Sequence, residues 1–229
     1  MTSTASRNQP VAGLWHTALV LGAVAINSCL GFIRSNHLRQ TAAPNRPMVY
    51  VRTILVEWLI LALVLAGVWL HKSPLRTVLG ERWRSRSQFL RDLGIALAFL
   101  ILSIAVTSAF GHHGQHAATD PAVKFLMPET ANEKWLWALL AISAGICEEA
   151  VYRGYLQQQF TAYTHSIPVG IMISAVLFGA GHAYQGTRLA VLIGLGALLS
   201  GALAWWRKSV RPGMIAHTLQ DLLAIIVHH

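Results

Sequence analysis

The chain has 229 residues, of which 54% are hydrophobic and only 12% charged, with a formal net charge of +9. An ordinary soluble domain is about 25% charged, so this composition excludes one and points to a protein solvated by lipid. In that setting the basic excess reads as charge flanking apolar spans, and the expected partner is a lipid bilayer, with no nucleic acid.

Apolar runs near the ~20 residues that a bilayer demands cover 11–33, 53–71, 93–110, 135–155, 167–183, 189–206 and 212–228. They predict an all-α fold: a polytopic membrane helix bundle of about seven to eight transmembrane helices. The first run lacks a small-residue cleavage site and is long for a signal peptide, so it is expected to be a retained helix. The balance of Lys and Arg between alternate loops places the N-terminus on the cytoplasmic side. Two regions follow: 1–134, with the first three spans and a basic interfacial segment, and 135–229, a helical core. Cys29 and Cys147 both fall within spans, which suggests neither a disulfide framework nor a zinc CxxC site.

In chain order, 34–52 is a polar loop rich in Arg, Asn and Pro. Glu57, in VEWLI, reads as an interfacial residue near Arg52. The segment 72–92 sets six basic residues among Leu75, Leu79, Trp83, Phe89 and Leu90, the pattern of an interfacial helix on an anionic leaflet or of a basic loop. The loop 111–134 holds His112, His113 and His116, whose Gly, Ala and Thr neighbours make a solvent-exposed loop a better reading than a metal cage. His228 and His229 read as a frayed end. In 189–206, Gly196 with Ser200 and Ala197 with Gly201 are small pairs four residues apart, the spacing of close helix packing. Trp205, Trp206, Arg207 and Lys208 form an interfacial anchor.

Beyond residue 134, polar groups recur inside three spans. They are Glu148, Glu149 and Arg153 in CEEAVYR; Phe178 and His182 in FGAGH; and His217 and Asp221 in HTLQD. Each intramembrane charge is costly, so a cluster of them is a functional hypothesis. Glu149 and Arg153 are four apart and can pair. Glu148 lies about 100° around an α-helix from Glu149 and lacks that partner, which suits a general base. Hydrolysis joins these groups. Glu148 activates a water, His182 orients it or polarises the scissile carbonyl, and His217 donates to the developing oxyanion. Arg153 orients the Glu pair, and Phe178 packs under His182 or lines a substrate groove. The same residues could glue helices, or relay protons or metal ions, so physics alone leaves protease and transporter both open.

The three motifs, ordered EExxxR, FxxxH and HxxxN/D on separate helices, resemble those of the CPBP family, the CAAX-protease and bacteriocin-processing enzymes also called Abi proteins. The resemblance covers about 135–225 and includes the branch of the Ras-converting enzyme, which removes the last three residues of prenylated CAAX proteins. It implies a hydrolase, an intramembrane endopeptidase acting on a peptide or protein substrate in or at the membrane, with the active site between the last four helices. Carried over, Glu148 activates water and His182 assists. His217 and Asp221 take the oxyanion-hole positions, with Glu149 and Arg153 supporting. The family has been described both as metalloendopeptidases and as glutamic proteases. No cofactor is favoured here; the zinc alternative makes Glu148, His182 and His217 ligands. Asp221 stands where the Ras-converting branch has Asn, and an ionised Asp cannot donate to an oxyanion; it is either protonated, an orienter of His217, or a metal ligand. A non-catalytic scaffold or immunity protein of the same fold is the alternative function. A bacterial cytoplasmic membrane is the expected location, an endoplasmic reticulum the other candidate.

One geometric problem remains. If the fifth and seventh spans are parallel and level, His182 lies roughly 23 Å along its helix and His217 about 9 Å along its own. A single site then requires the fifth helix to kink or end at Gly179 and Gly181, or to begin deeper.

Overall fold

The computed structural model describes residues 9–40, 45–111 and 126–227. Helices α1 (Leu14–Arg39), α2 (Arg46–Leu70), a single-turn α3 (Leu75–Leu79) and α4 (Arg86–Gly111) form the N-terminal region. One long rod follows, made of α5 (Ala131–Glu148), a π-helical segment (Glu149–Leu156) and α6 (Gln157–Thr164). The chain then turns into α7 (Ile167–Gly181), a 3-10 turn (Ala183–Gln185), α8 (Thr187–Arg207) and α9 (Arg211–Val227). His112, His113, His116, His228 and His229 lie outside the described residues.

Five stretches are long and apolar enough to cross a membrane: Leu14–His37, Arg46–Leu70, Arg86–Val106, Ala131–Thr164 and Thr187–Arg207. Helices α7 and α9, at 15 and 17 residues, are shorter, so the expected seven spans become five full-length helices and two short ones. The outer faces carry large apolar side chains, with Trp69 and Trp135 75% exposed and Ile101 70%. A water-soluble monomer does not expose such a continuous apolar surface; in lipid it is the solvated face. Segment 72–92 is not one interfacial helix. Pro74 opens the single turn of α3, Gly80 closes it at φ 81°, and the helix resumes at Arg86 as the start of α4.

Local chemistry sets the ends of the rod. Thr130 and Glu133 form a capping box: Thr130 Oγ1 accepts from the Glu133 N–H at 3.3 Å, and Glu133 Oε2 accepts from the Thr130 N–H at 3.0 Å, an arrangement worth about 1 kcal/mol. At the far end His165 adopts left-handed backbone (φ 52°) and reverses the chain into α7.

The core centres on the π segment, every residue of which is buried. Tyr155 and Leu156 are fully enclosed by Val20, Val64, Val68 and Val78 from the N-terminal helices. A buried polar network ties the start of α1 to the same region. Gln159 accepts from the Val11 N–H (2.7 Å) and donates to Ala12 O (3.0 Å) and Thr17 Oγ1 (2.6 Å), while His16 Nδ1 meets Tyr155 OH at 2.7 Å. Each buried polar atom here has a partner, as burial requires. In α8 the Ala197 and Gly201 row is the packed one: both are buried, and Gly201 lies against Gln157 and Ile171. Gly196, in the other small pair, faces nothing within 4 Å.

Candidate active site

Glu148 is the last residue of α5 and Glu149 the first of the π segment. In that segment the ladder widens, as where the Gln157 N–H bonds Tyr152 O, five residues back. Tyr152 O also accepts from Ser174 Oγ of α7 at 2.8 Å, a side chain inserted where the ladder is disturbed. Single π turns are rare and gather at functional sites. Nothing in the periodicity of the sequence marks this one.

The expected pair forms: Arg153 Nη1 lies 3.3 Å from Glu149 Oε1, with side chains only 3% and 1% exposed. Glu148 is outside that pair and 20% exposed. His217 of α9 sits between the carboxylates. Its Nδ1 is 3.4 Å from Glu149 Oε1, and its Nε2 is 3.7 Å from Glu148 Oε2 and 3.6 Å from Asp221 Oδ2. The gaps on the Nε2 side exceed a direct hydrogen bond and match the spacing that a bridging water or a substrate oxygen fills. Asp221 stands beside Nε2 of the same ring, one turn along α9.

Phe178 joins the third motif. Its ring centroid lies 4.6 Å from that of His182 and 6.1 Å from that of His217, and the Arg153 guanidinium carbon sits 4.1 Å over it. Phe178 is therefore a buried platform under the two histidines. Its carbonyl accepts from His182 Nδ1 at 2.9 Å, which places a ring proton on Nδ1 and turns Nε2 away from that carbonyl.

Two features bring His182 and His217 to one level. The rod and α7 form an antiparallel hairpin about His165, with Glu149 and His182 sixteen and seventeen residues on either side, so both stand roughly 25 Å from the turn. Helix α9 begins level with the π segment instead of at that turn: a Cβ on Gly213 would lie 2.8 Å from Glu149 Oε2. Gly145 of α5 allows the same close approach, since a Cβ there would meet Thr218 Oγ1 at 2.2 Å and Met214 O at 2.9 Å. Helix α9 thus starts deeper than α7, which begins at the turn itself and ends at Gly181, with His182 as its C-cap; the levels match because the seventh span starts late, not because the fifth begins deeper.

Other residues join the site without a motif. Glu57 is not interfacial. It is the twelfth residue of the 25-residue α2, its Oε2 accepts from Ser143 Oγ at 2.7 Å, and it interacts electrostatically with Glu148, His217 and Asp221. The apolar run 53–71 sets Glu57 near its start; only the true beginning of α2 at Arg46 puts it mid-span. Tyr152 packs edge-on against Phe178, with ring centroids 4.9 Å apart. Tyr184, in the turn after α7, stacks on His182 at 5.9 Å. Burial, together with the negative Glu148, Asp221 and Glu57, raises its phenol to about 12 against the opposing Gln185 hydrogen bond, so it stays protonated. Among the described residues no three His, Cys, Asp or Glu side chains are grouped to hold a metal ion.

No curated protein and no solved structure matches the chain. Residues 130–223 match the family model described as type II CAAX prenyl endopeptidase Rce1-like. That segment begins at the capping box of α5 and ends beyond Asp221, so it contains all three motifs and every residue gathered around His217 except Glu57 of α2. The C-terminal helical core of this membrane-embedded chain is thus similar to the CPBP/CAAX protease family over the segment that carries the three motifs.

Proposed function

We propose that the protein is an intramembrane endopeptidase in which Glu148 activates the attacking water. The observation that carries this reading is the convergence of three motifs from three helices on His217, with Glu148 the one carboxylate of the Glu pair left free of Arg153 and partly exposed. A water between Glu148 and Nε2 of His182 gives up a proton to Glu148 as its oxygen attacks the scissile carbonyl carbon. The carbonyl oxygen gains negative charge, and His217, held at Nδ1 by Glu149, presents its Nε2–H to it. The tetrahedral adduct collapses, the C–N bond breaks, and the proton passes from Glu148 to the leaving amine. Glu149, held by Arg153, fixes His217 from the buried side. Asp221 orients the same ring.

The substrate class that fits is a membrane-associated chain, a prenylated CAAX-like terminus or a leader peptide, met at a bacterial cytoplasmic membrane. The mechanism uses no step through a metal, and a zinc-dependent version is distinguished by experiment. The protein in proteoliposomes is assayed on farnesylated CAAX and leader peptides, wild type beside Glu148→Gln, with and without chelator and with metal content measured. Cleavage that survives chelation and falls by about 10²–10⁴ in Glu148→Gln supports the glutamic mechanism. Cleavage lost with stoichiometric zinc overturns it. Cleavage retained by Glu148→Gln removes Glu148 from the mechanism, and an inert wild type on all substrates favours the scaffold role.

A further inference from the structure

The basic end of the bundle carries charge that the catalytic reading does not use. Residues 72–92 and 207–211 hold nine Lys and Arg against two acids, Glu81 and Asp92. These two connections are far apart in sequence but dock on each other. Ser209 Oγ donates to Leu79 O at 3.4 Å, Arg207 Nη2 pairs with Asp92 Oδ1 at 2.7 Å, and the Arg211 guanidinium lies 4.8 Å from the Trp83 ring centroid. Both carboxylates are already committed. Asp92 also accepts from Trp83 Nε1 at 2.9 Å and faces Arg91, while Glu81 faces Arg76 and Arg84 at 3.7 Å each.

Lys208 and Arg211 flank the α8–α9 turn and make no ion pair among the described residues. Arg211 is half-buried, and its Nε, shut off from solvent, has no hydrogen-bond acceptor, a donor that an anion would satisfy. Beside the turn lies a cleft of about 60 Å³ lined by Lys208, Ser209, Trp205, Gln158 and Thr77. Trp205 and Trp206 next to it are 48% and 62% exposed, the amphipathic rings that settle at headgroup depth.

We propose that the α8–α9 turn, with Trp83 as its platform, is a binding site for the phosphate of an anionic phospholipid headgroup. Lys208 and Arg211 supply the counter-charge, and the exposed tryptophans contact the acyl–headgroup boundary. That apolar flank is why a lipid, not free phosphate, is the occupant. Arg211 is also the first residue of α9, six positions before His217. A headgroup held there fixes the start of the helix that carries His217 past Glu148 and Glu149.

The full-length protein in detergent is titrated with phosphatidylglycerol, phosphatidylcholine and inorganic phosphate, and bound lipid is counted by native mass spectrometry. Retention of phosphatidylglycerol well above phosphatidylcholine is expected. Lys208→Gln, at an exposed side chain, and Arg211→Gln should each weaken it about fivefold, and Arg34→Gln at the opposite end should not. Equal retention of the two lipids overturns the site, as does unchanged binding in Lys208→Gln. Competition by millimolar inorganic phosphate that abolishes lipid retention overturns the lipid as occupant and leaves a phosphate site.

Discussion

Arg153→Met tests the buried support of the site. Arg153 and Glu149 are 3.3 Å apart and 3% and 1% exposed, so solvent does not screen them. Removing one member of such a pair strands a buried charge, at a cost of about 3–5 kcal/mol. His217 Nδ1, 3.4 Å from the same Glu149 oxygen, is a second counter-charge and moves the value to the lower half of that range. The guanidinium over Phe178 adds a cation–π loss of about 1 kcal/mol. Arg153→Met is therefore expected to cost about 4 kcal/mol, and Glu149→Gln, which strands Arg153, about 3 kcal/mol. The double variant has no stranded charge. It should be much more stable than the sum of the single losses implies, with a coupling of about 2 kcal/mol or more. Its cleavage should stay low, because His217 has lost its inner carboxylate. Unfolding in mixed micelles, followed by circular dichroism, measures all four corners of the cycle. Purely additive costs, or an Arg153→Met cost under about 1 kcal/mol, would refute the idea that the pair holds the site together.

The remaining predictions concern the walls of the site. Asp221→Asn keeps a polar group opposite His217 Nε2 and adds an N–H donor, so peptide cleavage is expected to stay within about tenfold of wild type, a factor worth about 1.4 kcal/mol in the barrier; abolition would show that the charge itself is required. Gly213→Ala places a methyl 2.8 Å from Glu149 Oε2. A small shift of the carboxylate relieves this contact without leaving Arg153, so kcat should fall while thermal stability drops by only about 1 kcal/mol. Gly145→Ala meets the Met214 carbonyl at 2.9 Å, a backbone atom that cannot swing, and should cost nearer 3 kcal/mol in the same melt; equal effects of the two would contradict the packing described. Ser143→Ala removes the hydrogen bond to Glu57 and should cost about 1–3 kcal/mol by leaving that carboxylate unsatisfied, read as a lowered melting temperature.

Much of the protein is legible in one dimension. Runs of apolar residues announce the bundle because a backbone in lipid must satisfy its own hydrogen bonds, and helices do so. Glu148, Glu149, Arg153, His182, His217 and Asp221 stand out because a polar side chain inside such a run is too costly to be idle. The spacing of Glu149 and Arg153 already implies their pairing, whereas α5 begins at Ala131, four residues before the apolar run that announces it. Other features depend on contacts between distant segments. Composition alone cannot say how deep a helix begins, so the levels of His182 and His217 conflict until the hairpin about His165 and the late start of α9 set them side by side. The π turn has no sequence period of its own; it exists where Ser174 bonds Tyr152 O and the surrounding core closes on 149–156. Glu57 reads as interfacial while the run 53–71 is considered alone, and becomes part of the site once Ser143 of α5 faces it. Local sequence determines which residues share a helix and a face. Depth, register and the neighbour across a gap follow from packing, because each depends on where other segments stop.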